Sequence, residues 1–273
     1  MADFDQNQQQ ALIRDRFTRT AEVFGNAVMQ TRTAEAEILA EMVAAKKSDC
    51  AVDLACGTGA LALAFARHVR WIAGLDLTPA MLTVAQRTAC ETNARNIVFA
   101  LGNAQEIPFP DVSLDLALSS YALHNVPEPG RVIGEMARVL KRSGRAGIID
   151  IFVPEDPRSA EMHDRIERVR DPSHVRTLAR SEFASLFAAN RLRITGAHVE
   201  EHPATFDQWM HNAGREPGDP EYVETRRLME LTFADDLAAF HPRCGTTSST
   251  RSDGLPEIDM VNTVVFFSAE KIG

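Results

Sequence analysis

The hydrophobic pattern changes period near residue 50. Before it, Leu12, Ile13, Phe17, Ala21 and Phe24 recur at helical spacing, as do Ile38, Leu39, Met42 and Val43, so residues 7–45 are predicted helical. After it come short apolar runs at 51–55, 71–77, 97–101, 114–119 and 146–152, which read as strands. Amphipathic stretches at 60–68, 79–92 and 129–140 lie between them and read as helices. Thr78-Pro79 offers an N-cap followed by proline at the first helical position. Strands alternating with helices predict βαβ units, and therefore a parallel sheet with helices on both faces.

Beyond Phe152 the rhythm loosens. Residues 161–169 and 181–190 read as helices, 192–200 as a strand and 222–240 as a further helix. Proline and glycine punctuate 203–256, a polar stretch covers 244–254, and a strongly β-prone run follows at 260–267. A late strand after a long irregular stretch makes 203–256 the expected cap of a sheet edge.

Composition narrows the function classes. The chain has 273 residues, 45% of them hydrophobic and 25% charged, as ordinary globular proteins do. A net charge of −9 repels phosphate backbones and anionic membranes, so neither nucleic acid nor a membrane is an expected partner. The start Met-Ala-Asp-Phe-Asp-Gln lacks the basic and apolar regions of a signal peptide, and a cytoplasmic location is expected. Cys50, Cys56, Cys90 and Cys244 form no Cys-x-x-Cys pair, which predicts reduced and mostly buried thiols. His68, His163, His198, His202, His211 and His241 show no ligand spacing, so no metal site is expected. Asn7-Gln-Gln-Gln10 reads as a frayed polar terminus.

The chemistry concentrates in Ala51-Val-Asp-Leu-Ala-Cys-Gly-Thr-Gly-Ala-Leu-Ala62, an apolar strand that ends in a glycine-rich turn and opens a helix. Gly57 and Gly59 let backbone N–H groups approach a ligand without interference from Cβ. Gly57-x-Gly59-x-x-Ala62 also satisfies a dinucleotide fingerprint, and Asp76 ends the next strand where either cofactor presents ribose hydroxyls. Asp53 favours a ligand with an amino group over a pyrophosphate. Neither tyrosine, Tyr121 or Tyr222, has a lysine four positions on, which disfavours a short-chain nicotinamide dehydrogenase.

Four motifs together carry a resemblance: Asp53-Leu-Ala-Cys-Gly-Thr-Gly59, Gly74-Leu-Asp-Leu-Thr-Pro-Ala-Met-Leu82, Asn103-Ala-Gln-Glu-Ile-Pro-Phe109 and Ala122-Leu-His-Asn-Val-Pro-Glu-Pro129. Over about residues 15–153 the chain resembles the S-adenosylmethionine-dependent methyltransferases of the Rossmann-like class, within it the ubiquinone/menaquinone-biosynthesis type. The resemblance implies an α/β fold: a seven-stranded, mostly parallel sheet with helices on both faces and an antiparallel last strand at about 260–267. It divides the chain into an N-terminal helical lid at 1–45, a cofactor-binding core at 46–155, and a part at 156–273 that completes the sheet and carries the cap.

The implied cofactor is S-adenosyl-L-methionine. By resemblance, Gly57 and Gly59 lie against its methionine part with Asp53 near the amino group, and Asp76 accepts both ribose hydroxyls. Leu77 and Met81 flank the adenine, with ordinary helix-to-sheet core packing as the alternative. Asn103, where an acid is commoner, reads the adenine amino group, the Ala104 N–H serves the ring, and Ser119 borders the methionine part, chiefly through its backbone. Phe17 and Phe24 are lid candidates, with helix packing as the alternative. Trp209, Met210 and His211 are either acceptor-pocket or core residues.

Methyl transfer needs a base only if the nucleophile arrives protonated. His124, after the fourth strand, and His174, downstream of the fifth, are the candidates; the alternative for each is a histidine that holds a loop. The expected function is methylation of a small organic acceptor of quinol, phenol or natural-product type. The alternatives are non-methylating chemistry with the same cofactor, or a non-catalytic binder. Oligomeric state, homodimer included, stays open.

Overall fold

A computed structural model describes residues 6–244 and 257–273, without the side chains of 23–31 and 244. The expected lid role of Phe24, the Cys244 thiol and residues 245–256 of the expected cap therefore lie outside the described residues.

The predicted N-terminal helical segment is one continuous helix, α1 (Gln6–Met42). Asn7–Gln10 are inside it and not a frayed end: Gln9 is buried and its amide donates to the Asn125 and Ser173 carbonyls at 3.2 and 2.7 Å. The alternating part gives β1 (Cys50–Leu54), α2 (Ala60–Phe65), β2 (Trp71–Asp76), α3 (Pro79–Glu91), β3 (Ile97–Leu101), β4 (Leu114–Ser120), α4 (Pro129–Val139) and β5 (Leu140–Ile151). Then follow α5 (Pro157–Arg170), α6 (Arg180–Ala189), β6 (Leu192–Thr205), α7 (Phe206–Asn212), α8 (Pro220–Glu230), β7 (Arg243–Cys244) and β8 (Ile258–Lys271).

The sheet runs β3-β2-β1-β4-β5-β8-β6. β1 to β5 pair in parallel, β8 lies antiparallel between β5 and β6, and the two-residue β7 pairs with β8 off this path. The seven-stranded sheet with an antiparallel last strand is therefore as expected. From β1 the chain builds outward through β2 and β3, then returns to place β4 and β5 on the other side. The loops after β1 and β4 consequently diverge, which opens a crevice at the carboxyl ends of the strands.

Each face of the sheet is covered by apolar side chains. Val132, Ile133 and Met136 of α4 pack with Phe183 and Phe187 of α6 on one face. Leu39 and Val43 of α1 pack with Leu61 and Phe65 of α2 on the other. A third cluster, with Phe206, Trp209, Met210, Tyr222 and Phe240, joins α7 and α8 to Ile166 of α5 and to Met260.

Four details correct the sequence reading. The helix expected at 222–240 ends at Glu230, and the chain then turns through Asp236, Ala239 and His241, all with positive φ. α7 was unforeseen, although Thr205-Phe-Asp-Gln208 carries a capping signal and Thr205 Oγ1 accepts the Gln208 N–H at 3.2 Å. β6 continues past residue 200 through Pro203, which an edge strand tolerates because no second neighbour needs its N–H. Of the thiols, Cys56 is buried, but Cys50 is half-buried and Cys90 exposed. Among the described residues no helix is long and apolar enough to cross a membrane, and no His/Cys/Asp/Glu group is arranged to hold a metal.

Candidate active site

The turn after β1 is shaped by its two glycines. Gly59 has φ +74°, and a Cβ there would lie 2.6 Å from the Phe99 ring. Gly57 has φ +54°, and a Cβ there would meet nothing within 4 Å, so it faces open space. Both conformations suit glycine. Asp76 at the end of β2 ties the turn down: Oδ2 accepts the Gly57 N–H and Oδ1 the Thr78 N–H, each at 2.8 Å. Thr78 occupies the expected N-cap of α3, but its hydroxyl makes no cap bond.

A cavity of about 150 Å³ opens over this turn. It gathers Gly57, Asp76, Leu77, Met81, Asn103 and Ala104 of the expected cofactor residues. Asp53, Gly59 and Ser119 do not line it. Ser119 turns its hydroxyl to the Leu54 carbonyl at 3.1 Å, and the neighbouring Ser120 lines the cavity instead. Successive strand residues face opposite sides, so the two serine side chains part here. α1 closes the cavity with Gln9, Ile13, Phe17 and Arg32, of which sequence reasoning singled out only Phe17. Nothing local marks Arg32: on a long helix it reads as one more solvated charge.

Asp53 lies fully buried behind the turn, and neither carboxylate oxygen has a hydrogen-bond partner. Burial, together with the nearby Asp76 carboxylate, pushes its pKa up to about 8. An unpaired buried carboxyl of this kind is relieved when a cation arrives. Asn103 Oδ1 accepts the Gln105 N–H at 2.9 Å, which folds the loop after β3 around the cavity. Asn103→Asp keeps that bond and adds a charged acceptor, so affinity for an adenine amino group should hold or rise. Asn103→Leu should weaken cofactor binding by about 1–3 kcal/mol in calorimetry. Unchanged binding by the leucine variant would mean that the adenine is read elsewhere.

A second cavity, of about 270 Å³, adjoins the first. Phe17, Arg32, Tyr121 and Asn125 line both and form the wall between them. Tyr121, just past β4 with φ +51°, stands at this wall, donating from its hydroxyl to Glu35 Oε1 at 2.7 Å. The Arg32 guanidinium lies 3.6 Å from the centre of the Tyr121 ring and pairs with Glu35.

The structure brings His124 and His174 together in this second cavity, their rings stacked 5.6 Å apart. His124 Nδ1 meets Asp150 Oδ1 at 2.6 Å, which leaves Nε2 as the other ring nitrogen. Burial disfavours the charged ring, but the Asp150 charge and hydrogen bond outweigh it and raise the His124 pKa above the ordinary value. His174 Nε2 meets Asp164 Oδ1 at 2.9 Å. The Val175 and Arg176 N–H groups donate to the His124 carbonyl, so the segment holding His174 is stitched to the loop holding His124. Arg170 pairs with Glu167 at 2.8 Å, and Arg16 with Asp171. Burial pushes Glu167 up, but Arg170 and the surrounding histidines overcome it and hold it at about 2.

Trp209 is a core residue that also lines the second cavity, whereas Met210 is wholly core and His211 is exposed beside Glu216.

The profile of the methyltransferase domain family matches residues 52–148. The uncharacterized methyltransferase YcgJ of Bacillus subtilis (strain 168) is 34% identical over 227 residues, covering 81% of this chain and 86% of YcgJ. Its crystal structure superposes with a TM-score of 0.78 at 29% identity, covering 88% of this chain and 99% of the other. The demethylmenaquinone methyltransferase of Lactobacillus johnsonii is 36% identical over 116 residues, which is 41% of this chain and 48% of that enzyme.

Proposed function

Since the chain belongs to the methyltransferases and transfers a methyl group from S-adenosylmethionine to a small molecule, we propose how its own residues divide that work. The first cavity holds the cofactor and the second holds the acceptor. One observation carries this reading: the two cavities share a wall at Phe17, Arg32, Tyr121 and Asn125, with the glycine turn on one side and His124 on the other.

The residues of the first cavity fit the cofactor. Asp76 supplies carboxylate oxygens at the end of β2 for two ribose hydroxyls, and Met81 and Leu77 supply apolar walls for adenine. Arg32 also lines this cavity, but its guanidinium is already paired with Glu35. Asp53 is a buried carboxyl with no partner behind the turn, and a cationic ligand would favour its ionised form. When bound, the cofactor supplies a methyl group on a sulfonium, an intrinsically good leaving group. The protein then aligns the acceptor, excludes water and removes a proton. With the cofactor bound, His124 Nε2 would take the proton of an acceptor hydroxyl held in the second cavity, and Asp150 at Nδ1 would steady the ring as it gains that charge.

The test is incubation with labelled cofactor and a panel of phenols, quinols, amines and thiols, read by mass spectrometry. Gain of one methyl group supports the assignment. A product of unchanged mass would favour the alternative of rearrangement or cyclisation on the same scaffold.

Asp53 gives a pH dependence. Cofactor binding that needs the ionised carboxylate must release the proton Asp53 holds below about pH 8. Affinity should therefore rise with pH, by up to about tenfold per unit, between about pH 6 and 7.5, below the titration of an α-amino group. Burial also raises Asp76, against its bonds from Thr78 and Gly57, so Asp53→Asn is the control that isolates Asp53. Calorimetry across that range should show a flatter slope for the variant; equal slopes would exclude Asp53 as the proton source.

A further inference from the structure

The second cavity restricts the acceptor through its charge balance. Among the described residues, every arginine and histidine lining it has a carboxylate beside it: Arg16, Arg32 and Arg170 are ion-paired within the wall, Asp150 and Asp164 back the two stacked histidines, and His202 Nε2 meets Glu200, shared with His198, at 3.2 Å. An anionic acceptor would find cations already neutralised, with carboxylates beside them. To gain a cation it would have to break a pair such as Arg170–Glu167 and strand a buried carboxylate, which is costly. A long hydrocarbon chain, saturated or isoprenoid, fails for a different reason. It would cover the amides of Asn212 and Asn262 and the His202 ring without offering them hydrogen bonds. The carbon surface that remains comes from Trp209 and Phe17, whose rings also carry the Arg170 and Arg16 guanidiniums 4.2 and 4.3 Å from their centres, with Ile151 and Val264.

On the methyltransferase reading above, we infer that the acceptor is a compact, uncharged ring bearing hydroxyl groups, with neither a phosphate nor an isoprenoid chain. The ring lies against the aromatic walls. Its methylated hydroxyl faces His124 and the shared wall, and its other polar groups meet the asparagine amides.

The test is calorimetry on enzyme loaded with S-adenosylhomocysteine, using three matched probes: naphthalene-1,4-diol kept reduced, the same diol carrying a geranyl chain, and 4-hydroxy-1-naphthyl phosphate. The plain diol should bind at least about tenfold tighter than either other probe, a difference of about 1.4 kcal/mol. Equal or tighter binding of the geranylated diol or the phosphate overturns the inference, as does no binding of the plain diol. An enzyme that binds neither S-adenosylhomocysteine nor S-adenosylmethionine would instead overturn the cofactor assignment, so the two failures are distinguishable. Charge balance has its own test. Glu167→Gln or Asp171→Asn frees an arginine and should improve binding of the naphthyl phosphate at least about tenfold. Wild-type affinity for the phosphate in whichever variants fold would show that the paired carboxylates do not exclude anions.

Discussion

Asp76→Ala is expected to weaken S-adenosylmethionine binding at least about 30-fold, or about 2 kcal/mol. Two losses combine. The first is a pair of charge-assisted bonds to ribose hydroxyls, worth about 1.5–3 kcal/mol each in typical cases. The second is structural, because Asp76 receives the Gly57 and Thr78 N–H groups at 2.8 Å and so holds the glycine turn against the start of α3. Asp76→Asn separates the two. Its amide oxygen can still accept a backbone N–H, while its NH₂ group cannot accept from a hydroxyl. The asparagine variant should therefore melt closer to wild type than the alanine variant yet still bind weakly. Calorimetry beside thermal unfolding measures both. Unchanged affinity in a folded alanine variant would remove Asp76 from the ribose, and NADH binding in its place would revive the dehydrogenase alternative.

The half of the site built on the glycine turn was legible because its signal is local. A strand, a turn with Gly57 and Gly59, and a helix are contiguous in sequence, and Asp76 follows at the end of the next strand. The wall between the cavities was legible only in part: Phe17 stood out as a lid candidate and Asn125 lay in a motif, but Arg32 and its partner Glu35 had no such signal. Arg32 and Glu35 come from α1, Tyr121 from the end of β4 and Asn125 from the loop after it, and only the fold brings them together. Glu35 resembles any charged residue on a helix until its burial is seen. The second cavity draws residues from Arg16 to Val264, and no periodicity records that convergence. His124 and His174 were found separately, each by following a strand, but their stacking depends on the bonds from Val175 and Arg176 to the His124 carbonyl. The same limit explains the misread helix. Apolar spacing continues to Phe240, but the chain leaves the helix after Glu230 so that Phe240 can stack on His163 and join the third cluster.

His124→Ala is expected to lower turnover by about 10²–10⁴-fold, the usual contribution of a general base, while cofactor affinity barely moves. Asp150 holds Nδ1 at 2.6 Å and so directs the basic lone pair to Nε2. The base must be neutral to act. Because the Asp150 pair raises its pKa above the ordinary 6.5, the acid limb of the rate profile should be centred above that value. Asp150→Asn removes the charge that raises it, so the limb should move to lower pH while some activity survives, which marks Asp150 as a positioning residue. Stability follows the same pair with a definite sign. Protonated His124 beside Asp150 stabilises the fold fully below about pH 6.5, and that contribution is lost as pH rises through the raised value. The melting temperature of His124→Ala should thus fall further below wild type at pH 5.5 than at pH 9. A drop in turnover of under about fivefold with a wild-type pH profile would leave His124 as a loop-shaping residue. His174→Ala then decides the matter. His174 engages Asp164 through Nε2 and stacks on His124, so a large loss there with His124→Ala still active would move the base to His174. If both variants keep near-wild-type turnover, the acceptor arrives already deprotonated and the protein works by alignment alone.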